Sequence, residues 1–491
     1  MNVLLITSDE HNKFVMGCGG DPVVRTPNLD RLAEQGTRFT SAYTNNPICM
    51  PARATLATGR YGHAVRSFDN GSAYDGMTPS WGHRLHEQGH QVPTFGKLHF
   101  DPDADTGFDA RLPLQAKKAY SGALLSWARG AAPATRMLRR NVEEARVGEF
   151  EYTTYDRYTA DSAGRWLATE ADPTRSWAAH VSFAYPHYPF RVPVEYLAGL
   201  DPDEIPLPPQ WQPDDWPDHL ELEHRRVAQS FTEPLPESVL RTARWIYYGM
   251  VAFLDEQVGR VLDALEACGL ADDTLVIYTT DHGDMLGEKG LFMKGVMYEG
   301  SAGVPMILRG PGVPTGAVSR TPVSLADIFP TVVDGVGAEL TEADVDLPGR
   351  SLLELAAAAD DLDRVVFSEY HGPSSIGANY MVRKGSWKYV EYCAEGADPQ
   401  LFDLDTDPRE LTDLGRSSDH ADVRADMAAE LRVIVEPRAV DQEVRGLQSQ
   451  WLAEAGGLES LKGAAPAPGS PLGGYTVPPP EIMDIVGWPA Q

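Results

Sequence analysis

Short apolar runs alternate along the chain with longer segments in which apolar residues recur at helical spacing. Val3–Thr7 and Thr274–Thr280 are continuous apolar runs rich in branched residues, which is typical of strands buried on both faces of a sheet. Ser238–Cys268 repeats apolar residues every three or four positions and predicts a long core helix. Further short strands are predicted at His90–Phe95, Trp177–Ala184 and Val304–Leu308. This alternation indicates an α/β fold.

Polar side chains with metal-binding chemistry follow the two clearest strands. Asp9 and Glu10 come after the first apolar run, and Asp281 and His282 come after the second. Open α/β sheets hold their sites at the carboxyl ends of the strands, which makes these residues candidate ligands. The structural alternative for each aspartate is a helix cap or a turn. Two internal strands that both end in acidic residues make that alternative less attractive.

Changes in composition divide the chain into segments. Residues 200–236 are rich in proline and acidic residues, and we expect a surface loop there. The segment 357–363 is rich in Ala and Asp and resembles a linker, after which short strands and one helix are predicted at Val365–Tyr370, Tyr380–Arg383, Trp387–Tyr392 and Ala421–Val435. We therefore divide the chain into residues 1–360, 361–455 and a Gly/Pro/Ala-rich tail, 456–491. Such tails often wrap a partner subunit, so we expect a homo-oligomer.

The sequence CMPARATLATGR, from Cys49 to Arg60, places a cysteine at the predicted start of a short helix. Unpaired N–H groups and the helix dipole lower a thiol pKa and attract anions at such a position. Arg53, one turn further, adds a guanidinium suited to a tetrahedral oxyanion. These residues indicate a nucleophile in an anion site. The alternative is a buried, inert cysteine beside Pro51 at a helix start.

The chain is acidic overall, so its clustered cations are informative. A formal net charge of -29 over 491 residues weighs against nucleic acid or an anionic membrane as a partner. An anionic substrate must then be drawn by local cations. Lys97 and His99 are two positions apart in a segment expected to be extended, where both side chains share one side. His187 lies between two prolines just past a predicted strand, in a rigid loop.

The cysteines and the first residues bear on cellular location. Four cysteines without paired spacing indicate neither a disulfide framework nor a zinc knuckle. The chain starts directly with a predicted core strand and lacks the basic lead and cleavage site of a signal peptide. No apolar run approaches membrane-spanning length. We therefore expect a cytoplasmic protein.

Several of these elements together resemble the sulfatase family of the alkaline phosphatase superfamily. The C-x-P-x-R pentad at Cys49 and its extension at Thr58–Arg60 resemble the sulfatase signature. The family elements G-K-x-H, P-H-x-P and DHGDMLGE are similar to the sequences around Lys97, His187 and Asp281. A C-terminal element, QLFDLDTDPRELTDLG at residues 400–415, also resembles the family. These five separated motifs, in the right order, cover about residues 1–415. Within this family, the motifs are similar to those of choline sulfatases, arylsulfatases and phosphonate monoester hydrolases.

The resemblance implies a fold. Members of this family have a large mixed, mostly parallel central sheet flanked by helices, which is the alkaline phosphatase-like α/β arrangement. A smaller C-terminal α+β subdomain with an antiparallel sheet and a helix follows it. The resemblance thus makes residues 1–360 the catalytic domain and residues 361–455 the subdomain.

The resemblance also implies a metal and a modified residue. Cys49 would be converted to formylglycine by a formylglycine-generating enzyme. One divalent cation would be held by Asp9, Asp281, His282 and an oxygen of the modified Cys49. Carboxylates suit calcium, while the imidazole, where many members have asparagine, leans towards manganese. Glu10 stands in the second position of the usual acidic pair, and its ligation is left open.

The family's catalytic roles are assigned to this sequence residue by residue. Arg53 would stabilise the hydrated formylglycine, and Lys97 and Lys294 would bind and neutralise the transferring group. His187 would protonate the leaving oxygen, with help from Lys294. His99 would then take a proton from the covalent sulfate hemiacetal and expel inorganic sulfate. Substrate contacts would also come from Asn70, for which the alternative is a simple turn residue.

The predicted activity is hydrolysis of small anionic sulfate esters, and two alternatives stay open. The first is hydrolysis of phosphonate monoesters or phosphodiesters on the same site. The second is a silent anion-binding protein in which Cys49 stays a thiol.

Overall fold

A computed structural model describes residues 1–111 and 121–459 of the chain. Its strands are β1 (Asn2–Ser8), β2 (Thr37–Phe39), β3 (Ala42–Tyr43), β4 (Pro93–Gly96), β5 (Asp109–Ala110), β6 (Arg146–Val147), β7 (Ala178–Ser182), β8 (Arg191–Val192), β9 (Thr274–Thr280), β10 (Met306–Arg309), β11 (Ala317–Ser319), β12 (Val323–Ser324), β13 (Val366–Tyr370), β14 (Asn379–Lys384), β15 (Trp387–Tyr392) and β16 (Gln400–Asp403). Its α-helices are α1 (Pro27–Glu34), α2 (Cys49–Thr58), α3 (Gly62–Val65), α4 (Trp81–Glu87), α5 (Ser121–Ala128), α6 (Met137–Glu143), α7 (Glu151–Thr169), α8 (Leu220–Ala228), α9 (Glu237–Ala267), α10 (Glu299–Ala302), α11 (Ile328–Val336), α12 (Leu352–Ala357), α13 (Ala421–Ile434) and α14 (Pro437–Glu454).

An eight-stranded sheet forms the centre of the molecule. Its strand order is β11-β2-β10-β9-β1-β7-β4-β5. The pairs within β9, β1, β7, β4 and β5 are all parallel, whereas β10 runs antiparallel to both of its neighbours, β9 and β2. The predicted mixed, mostly parallel sheet is therefore confirmed.

Helices cover both faces of this sheet, which explains the continuous apolar runs. On β1, Leu4 and Ile6 pack into a core shared with α1, α7 and α9. Val3 and Leu5 point to the other face and pack with α2, α4, α11 and α12. Because successive strand residues face opposite sides, a strand buried on both faces needs apolar residues at every position.

A four-stranded antiparallel sheet, β13-β14-β15-β16, follows in the C-terminal part. Apolar residues of β13–β16 and α13 form its core. This confirms the predicted smaller subdomain, while the boundaries at residues 360 and 455 stay predictions. Residues 460–491 of the predicted tail lie outside the described residues.

Two expectations about helices change. Residues 200–236 contain α8, so this segment is not only a loop as predicted. A second C-terminal helix, α14, follows α13. Across residues 1–111 and 121–459, no helix combines the length and the apolar character needed to cross a membrane.

Candidate active site

The carboxyl ends of neighbouring strands meet at one edge of the large sheet. β1 and β9 pair in parallel up to Ser8 and Thr280. Asp9 and Asp281 are the next residues, so the in-register pairing brings them side by side. β7 ends beside β1 at Ser182, and β4 ends next to β7 in turn. The sheet thus gathers side chains from four separate parts of the sequence.

Cys49 is the first residue of α2 and is almost fully buried, with 1% of its surface exposed. Its Sγ lies 3.2 Å from Nε2 of His282. Burial raises the pKa of the Cys49 thiol, and the carboxylate of Asp9 adds to this effect. The expectation that the helix N-terminus lowers the thiol pKa is therefore wrong, because desolvation and nearby carboxylates outweigh the helix dipole and the cations.

Four groups that can bind a cation converge around this thiol. The ligand atoms of Asp9, Cys49, Asp281 and His282 all lie within 4.8 Å of one another, and all four residues are buried. Nδ1 of His282 donates to the carbonyl of Gly283 at 3.1 Å, which leaves the lone pair of the neutral ring on Nε2. Oδ1 of Asp9 is buried and has no hydrogen-bond partner among the described residues. This donor set fits one divalent cation.

The guanidinium of Arg53 lies against both aspartates of the cluster. Its Nε donates to Oδ2 of Asp281 at 2.9 Å, and Nη2 donates to Oδ2 of Asp9 at 2.8 Å. Nη1 donates to Oγ of Ser182 at 2.9 Å and to the carbonyl of Lys97. Because Arg53 is 3% exposed, these charge-assisted bonds are shielded from water. The arrangement fixes the orientation of both carboxylates.

Further charged and titratable groups lie on the other side of Asp9. The ammonium of Lys97 forms an ion pair with Oδ2 of Asp9. Nζ of Lys294 lies 2.8 Å from Oε2 of Glu10. Nε2 of His187 lies 3.4 Å from the same Glu10 oxygen and 3.9 Å from Oδ1 of Asp9. Three loops thus each place one basic side chain beside Asp9 or Glu10, and these side chains are Lys97, Lys294 and His187.

This concentration of charge sets the protonation of the site. Burial opposes ionisation of Asp9, but the surrounding cations, first Lys97 and then His187, hold its pKa well below the usual range. Burial lowers the pKa of His187, and the ammonium of Lys294 lowers it further. Burial, reinforced by Lys97, also lowers the pKa of His99. Asp9 is therefore ionised, and each imidazole holds its proton less firmly than a free histidine does.

Asn70 lies beside the start of α2, next to Cys49. Its Oδ1 accepts the backbone N–H of Met50 at 3.0 Å. Since the amide oxygen is used in this way, the NH₂ group is the part of the side chain left for an anion. The preceding residue, Asp69, accepts a hydrogen bond from the amide nitrogen of Gln448 on α14. Asn70 therefore lies beside the start of α2, and its contact with substrate stays a prediction.

Sequence reasoning missed some features of the site. The bond from Arg53 to Ser182 was not foreseen, although Ser182 ends a third parallel strand, the same signal that identified Asp9. The pairing of Glu10 with Lys294 carried no sequence signal. His99 has a φ of 62°, so the segment after β4 is not extended as expected.

A family model described as Sulfatase matches residues 1–338. The chain belongs to the sulfatase family. A second model, described as N-sulphoglucosamine sulphohydrolase, C-terminal, matches residues 287–436. Together the two models cover the large sheet and most of the C-terminal subdomain of this sulfatase.

Individual relatives agree with this assignment. A choline-sulfatase of Rhizobium meliloti is 33% identical over 442 residues, which cover 85% of this chain and 82% of that protein. Arylsulfatase K of Danio rerio is 30% identical over 92% of this chain and 87% of its own. The crystal structure of a phosphonate monoester hydrolase of Agrobacterium radiobacter is 29% identical, with a TM-score of 0.70 over 91% of this chain and 96% of that chain. This sulfatase is a sulfuric ester hydrolase, as the sequence predicted.

Proposed function

We propose that this sulfatase hydrolyses sulfate monoesters through residue 49, after conversion of the Cys49 thiol to formylglycine. The observation that carries the proposal is the convergence of Cys49 with Asp9, Asp281 and His282. A raised thiol pKa makes the unmodified cysteine a poor nucleophile at neutral pH. A gem-diol at this position, in contrast, offers one oxygen for attack and a second for release of the product.

Asp9, Asp281, His282 and the modified side chain of residue 49 would hold the cation. A divalent metal supplies charge neutralisation and polarises the oxygens of a bound sulfate ester. The two carboxylates suit calcium, and the imidazole suits manganese. The orphaned Oδ1 of Asp9 and the lone pair of His282 Nε2 support the fit.

Cationic side chains bind the transferring group. Lys97 and Lys294 neutralise the negative charge that builds up on the sulfuryl oxygens, in a buried site where such charge pairs are strengthened. The NH₂ group of Asn70 adds a neutral donor. Arg53 orients the carboxylates of Asp9 and Asp281 and, by resemblance to the family, stabilises the hydrated side chain of residue 49.

Two histidines handle protons. His187 donates a proton to the leaving oxygen, assisted by the ammonium of Lys294, since both side chains lie against the same Glu10 oxygen. His99 then removes a proton from the remaining hydroxyl of the sulfate hemiacetal at residue 49. The C–O bond to sulfate breaks, inorganic sulfate leaves and the aldehyde is restored. Water next rehydrates the aldehyde for another turnover.

A second candidate function is hydrolysis of phosphonate monoesters or phosphodiesters. It is favoured by the 29% identity with the phosphonate monoester hydrolase over nearly the whole chain. Esters of both kinds present a tetrahedral, singly charged group to the same cations. A comparison of kcat/KM for an aryl sulfate and for a phenyl phosphonate ester decides between them, and equal values would assign both activities to this site.

The test of the proposal is substitution of the nucleophile. Cys49→Ala abolishes ester hydrolysis and leaves the unfolding midpoint close to that of the wild type. The matched control, Cys268→Ala at the end of α9, retains full activity. Mass spectrometry of the peptide containing residue 49, from protein made with a formylglycine-generating enzyme, shows the aldehyde. Unchanged turnover in Cys49→Ala, or an active enzyme with only unmodified cysteine, contradicts the mechanism.

A further inference from the structure

Glu10 follows Asp9 directly in the sequence but lies outside the ligand cluster of Asp9, Cys49, Asp281 and His282. Its φ of 69° lies in the left-handed region, which is uncommon for a residue with a side chain. The backbone N–H donates to Oδ1 of Asp281 at 3.2 Å, and the carbonyl accepts from the hydroxyl of Tyr247 on α9 at 2.6 Å. Both polar backbone atoms of Glu10 are therefore held, and the direction of its side chain is fixed.

The carboxylate of Glu10 reaches Lys294 and His187. Its Oε2 lies 2.8 Å from Nζ of Lys294 and 3.4 Å from Nε2 of His187. Its Oε1 is buried without a hydrogen-bond partner among the described residues. Glu10 belongs with Asp9 and His187 to a second group of possible cation ligands, whose ligand atoms lie within 4.8 Å of one another. This group is separate from the ligand cluster of Asp9, Cys49, Asp281 and His282, with which it shares Asp9.

Tyr188 completes the arrangement from the opposite side. Its ring stacks on the imidazole of His187, with centroids 4.1 Å apart, and Nζ of Lys294 lies 5.0 Å from the centre of the Tyr188 ring. Nδ1 of His187 donates to the carbonyl of Tyr188 at 2.7 Å. His187 and Lys294 are thus held between Glu10 and Tyr188.

We propose that Glu10 is a positioning residue that holds Lys294 and His187 together for protonation of the leaving oxygen, and that it does not ligate the metal. This inference rests on the proposed function. A lysine side chain has many rotamers, and a fixed acceptor reduces the entropy lost when its ammonium is aligned with the substrate. Glu10 lies outside the group of ligand atoms around Cys49. Its Oε2 is already held by the ammonium of Lys294, whose side chain is 10% exposed and needs a partner.

The proposal makes the effect of Glu10 depend on the leaving group. Esters of weakly acidic alcohols need a proton on the leaving oxygen, while esters of nitrophenols leave readily as anions. Since a positioned general acid contributes about 10²–10⁴-fold, Glu10→Ala lowers kcat at least about tenfold for an alkyl or phenyl sulfate. For 4-nitrophenyl sulfate the loss is several-fold smaller. Glu10→Gln, which keeps an oxygen for Lys294 to donate to, restores most of the rate.

Metal content gives a readout independent of turnover. Elemental analysis of the purified Glu10→Ala and Glu10→Gln variants finds the same metal per chain as in the wild type. Loss of metal from either variant, or an equal loss of rate for all leaving groups, overturns the inference. If the alanine variant does not fold, Glu10→Ser, whose side chain is too short to reach Lys294, takes its place, and its metal content and leaving-group profile decide the question.

A double substitution tests whether Glu10 acts through Lys294. Once Lys294→Met has removed the ammonium, Glu10→Ala produces little further loss on the alkyl ester, so the two effects are strongly non-additive. Additive effects contradict the proposal. A wild-type enzyme that hydrolyses none of these esters contradicts the proposed function itself, whereas an active wild type with uniformly slowed Glu10 variants contradicts only this inference.

Discussion

Arg53 connects, through one side chain, two carboxylates that lie far apart in the sequence. Its Nη2 bonds Oδ2 of Asp9 and its Nε bonds Oδ2 of Asp281, and both carboxylates belong to the cluster of possible metal ligands. A planar guanidinium can bond both carboxylates at once because its donors point in fixed, divergent directions. The side chain therefore sets the geometry of the metal ligands before any metal binds.

Replacing the guanidinium of Arg53 with the ammonium of a lysine tests whether Arg53 orients the metal ligands. Arg53→Lys keeps the charge but cannot reach Asp9, Asp281 and Ser182 together, so we expect metal affinity to fall about 10–100-fold, as for other groups that orient ligands. Calorimetric titration of the metal-stripped protein measures the change. The matched control is Arg60→Lys, whose residue bonds Asp346 at the surface. Equal metal affinity in the two variants would show that Arg53 does not orient the ligands.

Single residues of the site differ in how far the sequence predicts them. Asp9, Cys49, Asp281 and His282 were predicted from strand ends and motifs, and the structure brings the four together. The orientation of Glu10 was not predictable, because it depends on a hydrogen bond from Tyr247 in a distant helix. Side-chain direction at a residue with positive φ is a tertiary property, and no local pattern carries it.

The elements of the fold were predictable where apolar spacing alone determines them. The limits of β9 agree with the prediction, and α9 differs by one residue at each end. Two of the helices that were not predicted, α8 and α14, bury polar residues. α14 buries Pro437, Asp441, Val444 and Gln448, a helical spacing in which half of the positions are polar. α8 buries Glu221 and two arginines. Hydrophobic periodicity cannot reveal a helix whose inward face is held by hydrogen bonds.

The polar face of α14 reaches the loop that carries Asn70. The amide nitrogen of Gln448 donates to Oδ2 of Asp69 and to the carbonyl of His371, and its Oε1 accepts from Nε of Arg129 at 2.6 Å. Gln448 is 1% exposed. A helix beyond the part of the chain that the family models match thus supports the loop that carries Asn70, a proposed substrate contact.

We expect Gln448→Ala to affect substrate binding more than the chemical step. The substitution leaves Asp69 and Arg129 with unmatched buried polar atoms, at a cost of about 1–3 kcal/mol in unfolding free energy. The loosened loop raises KM several-fold while kcat changes little. Gln450→Ala, on the exposed side of the same helix, is the control and leaves both values unchanged. A fall in kcat at constant KM would exclude a role through Asn70.

At the scale of the whole molecule, buried ion pairs join the C-terminal sheet to the catalytic part. Nζ of Lys388, on β15, lies 2.9 Å from Oε1 of Glu299 and 2.7 Å from Oε1 of Glu410. Lys13, which follows β1, pairs with the other oxygen of Glu299. Two lysines and two glutamates balance in charge, so the network tolerates burial. Glu299 begins α10, shortly after Lys294, and the C-terminal sheet thereby supports an active-site loop.

The variant Lys388→Met tests whether this buried network contributes more to the free energy of unfolding than a surface ion pair does. Lys388→Met leaves Glu299 and Glu410 buried with one cation fewer, which costs about 3–5 kcal/mol for a broken buried pair. Lys384 lies on the neighbouring strand β14 and forms a partly exposed pair with Glu430 of α13, so Lys384→Met costs at most about 1 kcal/mol. Denaturant unfolding at pH 7 measures both, and equal losses would show that the buried network contributes no more than a surface pair.

The same network predicts how stability changes with pH. Burial opposes ionisation of Glu299, but Lys13 and Lys388 outweigh it and hold its pKa well below the usual range. A lowered pKa of Glu299 stabilises the folded protein at pH values above the pKa of the unfolded chain, about 4.3, and this contribution is lost as the pH falls towards the folded pKa.

In Lys388→Met the folded pKa of Glu299 rises, which removes part of this stabilisation at every pH above about 4. The stability difference between wild type and variant is therefore largest near neutral pH and narrows on acidification. Urea unfolding from pH 7 to pH 3 measures this narrowing, and a constant difference would mean that the ionisation of Glu299 is not coupled to Lys388.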